Sequence, residues 1–343
     1  MLTIYSSKHH LHHGSELKDG TVSASFEKPQ RADMVLARVK AANLGKVHQE
    51  KEFDRSCYVA AHTERYIQFL ENAWSEWTAT GKQCDALPLV WPVKDLGNAN
   101  EPEFIDGKLG FYAMDAGSPI TAGTWEAVKA SADTALTAAE QIMCGQHSAF
   151  ALCRPPGHHA AKEYMGGYCY LNNAAIAAEY VLSSGVKRVA ILDVDFHHGN
   201  GTQNIFYERN DVFFASIHGD PKISYPYFSG FDYETGAGQG TGFTANYPLP
   251  RDTMWSEYVM ALENALQRIQ QHDTEFLIIS LGVDTFKNDP ISHFKLESED
   301  YFKMGDLISK LNIPTLFIME GGYMVDEIGV NAVNTLMGFE GRI

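Results

Sequence analysis

The sequence predicts a single α/β domain, built on an open and mostly parallel sheet with helices on both faces. Two observations carry this prediction. Several short runs are apolar at every position rather than at alternate ones, as expected of strands buried on both faces. Segments with helical spacing separate these runs, and such alternation of strand and helix is typical of α/β domains. A chain of 343 residues is long enough to bury a core of this kind.

The predicted elements follow one another in a regular order. Helical spacing predicts two helices in the first half of the chain, at 31–42 and 63–78. The second half is predicted to run as helix 126–144, strand 148–153, helix 173–184, strands 189–194 and 212–217, helix 255–271, strand 276–283, helix 298–311 and strand 315–319. Gly145 and Gly185 stand where helices commonly end, and Ser298 is the predicted N-cap of the last helix.

Residues 81–125 differ from the rest of the chain. They contain six glycines and four prolines, with six acidic residues against three basic ones, and no clear periodicity. Long segments of this kind in a compact domain are usually functional or form an interaction surface. We therefore expect a Gly/Pro-rich acidic insertion that packs on the single domain at a subunit interface.

The charge balance of the chain restricts its partners. Lys and Arg total 27 against 43 Asp and Glu, which gives a formal charge of −16 and predicts that neither nucleic acid nor an anionic membrane is a partner. No apolar run approaches the ~20 residues that span a bilayer, and no signal peptide is recognisable. The five cysteines form no CxxC pair, which favours a reducing compartment. The sequence thus predicts a soluble cytoplasmic protein.

Polar residues of useful chemistry follow the predicted strands directly. Asp195 and His197 come after strand 189–194, and residues i and i+2 of an extended chain point to the same side. Asp284, after strand 276–283, supplies a third ligand to the same edge of the sheet. Three protein ligands with one position left open are typical of a catalytic zinc site, with Fe²⁺ and Co²⁺ as alternatives.

A pair of histidines follows strand 148–153. His158 and His159 come after two prolines and a glycine, and neighbouring residues point in different directions, so each ring can have its own role. Asp193 and Asn200 are candidates to lie behind the two rings and fix their tautomers. This pattern indicates general acid–base chemistry.

Tyr323 follows strand 315–319 after two glycines. Its hydroxyl can donate to a developing oxyanion, although a packed tyrosine at a strand-to-helix turn explains the residue equally well. Taken together, the predicted metal ligands, histidines and tyrosine indicate metal-assisted hydrolysis of an amide.

The motifs that contain these residues resemble a known superfamily. They are RPPGHH at 154–159, GGYC at 166–169, NN at 172–173, DVDFHHGNG at 193–201 and EGGY at 320–323. The chain resembles the arginase/deacetylase superfamily, within it the histone-deacetylase-like amidohydrolases, and most of all the bacterial acetylpolyamine amidohydrolases. The likeness extends through Arg31 and the insertion at 81–125, which helps to build a homodimer in those enzymes.

The resemblance implies a role for each site residue. Zinc is bound by Asp195, His197 and Asp284, while His159 is the general base and acid and His158 its electrostatic partner. Tyr323 is implied as the oxyanion donor, and Tyr168 and Tyr225 as walls of the substrate channel. A structural potassium ion is implied at Asp193, Ser216 and the main-chain carbonyls of Asp195, His197 and Ile217. A second monovalent site is implied around Phe206, Arg209, Val212 and Phe243.

Several functions remain open on this fold. An arginase needs DxHxD and DxD for two metals, but Gly199 and Phe286 stand at positions where carboxylates would be required. Acetylated polyamines suit an aromatic channel with acidic groups at its rim, for which the candidates are Glu101, Glu103, Asp106 and Asp115. The family's polyamine enzymes place an acidic gate near this region, where this chain has Gly117 with Asp115 nearby; this departure counts against long polyamines such as acetylspermine and leaves acetylputrescine and acetylcadaverine open, with acetylspermidine as a further candidate.

Two alternative functions are a protein lysine deacetylase and a non-catalytic metal- or polyamine-binding protein. The first is expected to have a more open rim, and the second would not require His158, His159 and Tyr323. Glu16 and Asp19 could also reach the rim, but no pattern in the sequence places them there.

Overall fold

The computed structural model describes residues 1–93 and 100–342. Residues 94–99, a short part of the predicted insertion, therefore lie outside the described residues. Among the helices of the described ranges, none is both long and apolar enough to cross a membrane.

Within these ranges, eight parallel strands form one sheet in the order β4-β1-β5-β10-β9-β6-β7-β8. Their bounds are β1 Leu2–Tyr5, β4 Val47–His48, β5 Ser148–Leu152, β6 Val189–Asp193, β7 Val212–Gly219, β8 Thr244–Leu249, β9 Phe276–Leu281 and β10 Thr315–Met319. Because every pairing in this sheet is parallel, the carboxyl ends of the strands share one edge. The strands that precede the predicted site residues (β5, β10, β9 and β6) are consecutive neighbours in the sheet.

Helices cover both faces of the sheet. They are α1 Gln30–Ala41, α2 Ser56–Val59, α3 Glu64–Ala79, α4 Ile105–Phe111, α5 Thr124–Met143, α6 Asn173–Ser183, α7 Asn200–Phe206, α8 Trp255–Gln271, α9 Ser298–Ser309 and α10 Val325–Phe339. Ala149 and Ile191 belong to the core on one face with α3, α5 and α6. Phe150 and Leu192, one residue further on, belong to the core on the other face with α1, α8, α9 and α10. Successive residues of one strand thus enter different cores, which explains why the strands are apolar at every position.

The predicted α/β class and the predicted strands are confirmed, with boundaries that differ by one or two residues. The prediction that Ser298 is an N-cap is wrong, because Glu297 occupies that position and its N–H donates to Asp300 Oδ2 (2.9 Å). The insertion at 81–125 contains α4, although its sequence shows no clear periodicity.

A small antiparallel hairpin lies apart from the main sheet. It consists of β2 Ser15–Lys18 and β3 Thr21–Ala24. The turn residues Asp19 and Gly20 have φ values of 51° and 76°, and an Asp-Gly pair suits such a tight two-residue turn. The hairpin lines the cavity at the carboxyl edge of the main sheet.

Candidate active site

A cavity of about 310 Å³ opens at the carboxyl edge of the sheet. Six residues beyond the ends of four adjacent strands form what we call the floor, namely His158, His159, Asp195, His197, Asp284 and Tyr323. Four residues from loops and the β2–β3 hairpin form what we call the rim, namely Glu16, Asp115, Tyr168 and Tyr225. All four rim residues line the cavity, as do His159, His197 and Tyr323 of the floor.

The predicted metal ligands lie together at the floor. The side-chain ligand atoms of Asp195, His197 and Asp284 are all within 4.8 Å of one another, and all three residues are buried. His197 Nδ1 is 3.0 Å from Asp284 Oδ2 and 3.3 Å from Asp195 Oδ1. The structure therefore brings these three residues to one point, as a mononuclear metal site requires.

The surroundings of these ligands fit a divalent cation. Neither Asp195 nor Asp284 has a Lys or Arg partner among the residues that the structure describes. Burial, together with repulsion from Asp195, raises the pKa of Asp284 to about 7, and a cation between the two carboxylates would relieve that repulsion. Gly321 donates its N–H to Asp195 Oδ2 (2.8 Å), and a Cβ there would come within 2.5 Å of the same oxygen and 2.7 Å of Asp284 Oδ2. The backbone at Gly321 thus closes tightly around the two ligands.

The two histidines differ in the residue behind each ring. His158 Nδ1 is 2.9 Å from Asp193 Oδ2, whereas His159 Nδ1 is 2.6 Å from Asn200 Oδ1. Because an amide oxygen can only accept, Nδ1 of His159 carries the proton and its Nε2 presents a lone pair. Of the two rings, His159 is the one that lines the cavity.

The surroundings of the two rings shift their pKa values in opposite directions. Burial lowers the pKa of His158, but the carboxylates of Asp193 and Asp195 outweigh that effect and raise it to about 10. Burial and the neighbouring His158 and His197 hold the pKa of His159 well below its ordinary value. His159 is therefore neutral and able to accept a proton, while His158 retains its charge behind it.

Glu320 and Arg31 organise the floor from behind. Glu320 Oε2 accepts the N–H groups of Gly157 and His158 at 2.7 and 3.1 Å, which ties the histidine loop to the end of β10. Arg31, buried and paired with Glu27, donates to the carbonyls of Glu320 and Gly322 at 2.6 Å each. Sequence reasoning gave neither residue a role, although Glu320 opens the EGGY motif and the family likeness includes Arg31; the Glu27–Arg31 spacing of a helical ion pair was a further signal.

Tyr323 is held between charged and aromatic neighbours. The guanidinium of Arg31 lies 4.7 Å from the centre of the Tyr323 ring. The backbone N–H of Tyr323 donates to Asp289 Oδ2 (2.7 Å). Burial raises the pKa of Tyr323 well above its ordinary value, so the hydroxyl keeps its proton and remains a donor. Gly322, with φ 127°, adopts a backbone conformation that other residues rarely take.

Each rim tyrosine donates to a rim carboxylate. The hydroxyl of Tyr168 donates to Glu16 Oε2 (2.6 Å), and that of Tyr225 donates to Asp115 Oδ2 (2.5 Å). Asp106 does not line this cavity within its own chain, because it lies in the first turn of α4 and forms an ion pair with Lys82. Glu16 is the rim residue that no sequence pattern identified.

The residues of the implied potassium site lie beside the floor. Asp193 and Ser216 face each other in the register of β6 and β7, Ile217 follows Ser216, and all three are fully buried. At the implied second site, Arg209 donates its N–H to the Phe206 carbonyl (3.0 Å) near the start of β7. Both potassium sites remain predictions.

Comparison with known proteins agrees with this geometry. A family model for the histone deacetylase domain matches residues 25–338. Acetylpolyamine amidohydrolase 2 of Pseudomonas aeruginosa is 57% identical over 342 residues, or 99% of each chain. Acetylpolyamine amidohydrolase of Mycoplana ramosa is 47% identical over 99% of this chain and 100% of that one. The crystal structure of acetylpolyamine aminohydrolase from Burkholderia pseudomallei has a TM-score of 0.94 at 36% identity, covering 99% of this chain and 98% of that one.

The open parallel sheet and the family match together define a hydrolytic enzyme of the deacetylase type. The chain belongs to the histone deacetylase family. It is accordingly a deacetylase, an enzyme that hydrolyses amides.

Proposed function

We propose that this deacetylase uses zinc to remove the acetyl group from acetylated polyamines, releasing acetate and the free amine. The observation that carries the proposal is the convergence of the three metal ligands and the neutral His159 at the bottom of a cavity with aromatic walls. Asp195, His197 and Asp284 would hold the zinc ion, and Fe²⁺ or Co²⁺ would suit the same two-carboxylate set.

The bound ion would polarise the amide carbonyl and acidify a water molecule. Nε2 of His159 takes a proton from the attacking water, since Nδ1 is already occupied by its hydrogen bond to Asn200. The hydroxyl of Tyr323 donates to the carbonyl oxygen as that oxygen gains negative charge. His159 then returns the proton to the departing amine nitrogen. The charged His158, held by Asp193, stabilises the negative charge that develops on the carbonyl oxygen.

The walls of the cavity favour a thin cationic substrate. Tyr168 and Tyr225 line it, and aromatic faces attract ammonium groups. Glu16 and Asp115 add two carboxylates, whereas Lys18 is the single Lys or Arg among the lining residues that the structure describes. Relatives at 57% and 47% identity are named acetylpolyamine amidohydrolases, which supports the same substrate class for this chain.

Side-by-side kinetics on acetylputrescine, acetylspermidine and an acetyl-lysine peptide test the proposal. We expect the highest kcat/KM with acetylputrescine or another monoacetylated diamine of similar length. Faster turnover of the peptide would instead make the protein a lysine deacetylase, and no turnover of any of the three would leave a binding protein. Treatment with a chelator is expected to abolish turnover, and added Zn²⁺ to restore it.

We further propose that the enzyme works as a cytoplasmic homodimer. Support comes from an exposed apolar group in the insertion, formed by Leu89, Val90, Trp91, Val93 and Phe104. The five cysteines are all unpaired, which suits a reducing compartment. Light scattering on the wild type and on Phe104→Glu tests the assembly, because a monomeric wild type would contradict it and a monomeric variant would locate the interface.

A further inference from the structure

Two rim carboxylates line the cavity, and their hydrogen bonds differ. Asp115 has both oxygens occupied, since Oδ1 accepts the N–H of Gly117 (2.8 Å) and Oδ2 accepts both the N–H of Gly167 (2.9 Å) and the hydroxyl of Tyr225. Its negative charge is therefore compensated by three donors from the protein itself. Asp115 positions the wall of the cavity and has little capacity left for a ligand.

Glu16 is in the opposite situation. It is 5% exposed, and Oε2 accepts the hydroxyl of Tyr168, but Oε1 is buried without a hydrogen-bond partner among the described residues. No Lys or Arg in the described chain lies within ion-pairing distance of it. A buried carboxylate oxygen without a partner is costly, so it needs a donor that the described chain does not supply, such as a ligand, an ion or a water molecule.

The basic residue nearest in sequence does not neutralise Glu16. Lys18 lies on the same strand and lines the same cavity, but its ammonium nitrogen lies 4.3 Å from the centre of the Phe26 ring. Tyr168 fixes the Glu16 carboxylate through the hydrogen bond from its hydroxyl. The backbone of Tyr168 has a φ of 68°, and its ring lies 5.6 Å from the ring of Tyr323. Glu16 thus lies on the wall of the cavity that Tyr323 also lines, and one of its carboxylate oxygens has no hydrogen-bond partner among the described residues.

We infer that Glu16, fixed by Tyr168, forms a binding subsite for the free ammonium group of the substrate, at the far end of the chain from the acetyl amide. This inference rests on the proposed function and assigns the recognition of the cationic tail to one residue of the β2–β3 hairpin. An ammonium group supplies the hydrogen-bond donor and the positive charge that Oε1 lacks. A neutral acetylated chain offers neither.

The test compares a cationic and a neutral substrate of equal length, acetylputrescine and N-pentylacetamide. Glu16→Gln keeps the shape and leaves Tyr168 an acceptor, so we expect normal thermal unfolding. We expect KM for acetylputrescine to rise about tenfold to hundredfold with little change in kcat, because one charge-assisted hydrogen bond is lost. The ratio of kcat/KM for the cationic over the neutral substrate should fall by the same factor.

Asp19→Asn is the matched control. It removes one negative charge from the exposed turn of the same hairpin, outside the cavity, and should keep the wild-type ratio. An unchanged ratio in Glu16→Gln would overturn the subsite, and so would an equal loss on both substrates, which indicates a structural role.

Calorimetric titration with free putrescine separates this inference from the proposed function. If the wild type does not hydrolyse acetylputrescine, the proposed function fails, yet the titration still tests the subsite. Weaker putrescine binding by Glu16→Gln than by the wild type supports the subsite, and equal affinity overturns it.

Discussion

The floor of the cavity extends from the ends of four neighbouring strands, whereas the rim is assembled from loops and a hairpin that meet only in the folded chain. The hydrogen bond from Tyr168 to Glu16 spans 152 residues of sequence, and that from Tyr225 to Asp115 spans 110. At the floor, Asp195 and His197 follow β6 directly, and the registers of β6, β9 and β10 fix their distance from Asp284 and Tyr323. The groups to which we assign the reaction therefore depend on the sheet, and the groups that we propose to select the substrate depend on long-range contacts.

The largest expected effect is at the floor. Tyr323→Phe removes the proposed donor to the oxyanion and should lower kcat by about 10²- to 10³-fold. Metal content, measured by mass spectrometry, should stay at the wild-type level because Tyr323 is not a ligand. Tyr233→Phe, at an exposed tyrosine outside the cavity, is the control. Unchanged turnover in Tyr323→Phe would refute the oxyanion role.

The next effect tests how tightly the floor closes around its ligands. In Gly321→Ala the new Cβ meets the carboxylate oxygens of Asp195 and Asp284, so affinity for the proposed zinc ion should fall about 10- to 100-fold. The measurement is zinc retained against a graded series of chelator concentrations. Wild-type retention would show that the two carboxylates can move apart without loss, contrary to a rigid floor.

A third effect concerns stability, which we expect to depend on pH through the loop between Ala161 and Asn172 that carries Tyr168. His62 is buried, accepts the N–H of Asn172 at Nε2 (2.9 Å) and donates from Nδ1 to the carbonyl of Ala161 (2.9 Å), so it holds both ends of this loop. Burial lowers the pKa of His62 to about 4, below the value of about 6.5 in an unfolded chain. The stability that neutral His62 contributes is therefore complete above pH 6.5 and is lost as the pH falls towards 4.

The size of this effect follows from the two pKa values. Between pH 7.5 and pH 5 the wild type should lose about 2 kcal/mol of unfolding free energy through His62 alone. Urea unfolding of the wild type and His62→Gln at both pH values isolates that contribution from the other buried histidines. Equal pH dependence in the two proteins would rule out this role of His62.

The smallest effect is expected from the compensated rim carboxylate. Asp115→Asn weakens the hydrogen bonds that position Tyr225 and Gly167, so KM for acetylputrescine should rise about fivefold with kcat nearly constant. If KM rises more in Asp115→Asn than in Glu16→Gln, Asp115 and not Glu16 is the principal cation-binding group. The comparison between the two carboxylates would then be reversed.

The same contrast explains how far the sequence predicts the structure. Strand ends, spacing and motif resemblance identified the floor residues, because each lies a few residues beyond a buried strand. The strand β8 was not predicted, since it lies at the sheet edge, is partly exposed and contains Pro248. Glu16 was not placed at the rim, because its position depends on a contact with a residue 152 positions away. Asp106 was expected at the rim for its charge, yet within its own chain it pairs with Lys82.

The β2–β3 hairpin is joined to the rest of the molecule by few bonds, among them those from Ser15 N–H to Asp85 and from Tyr168 to Glu16. It belongs to neither core of the main sheet. Mutations in the β2–β3 hairpin can therefore accumulate without disturbing the strands that position the floor residues. The proposed selectivity for different amines can therefore diversify through the hairpin at little risk to folding or to the hydrolytic step.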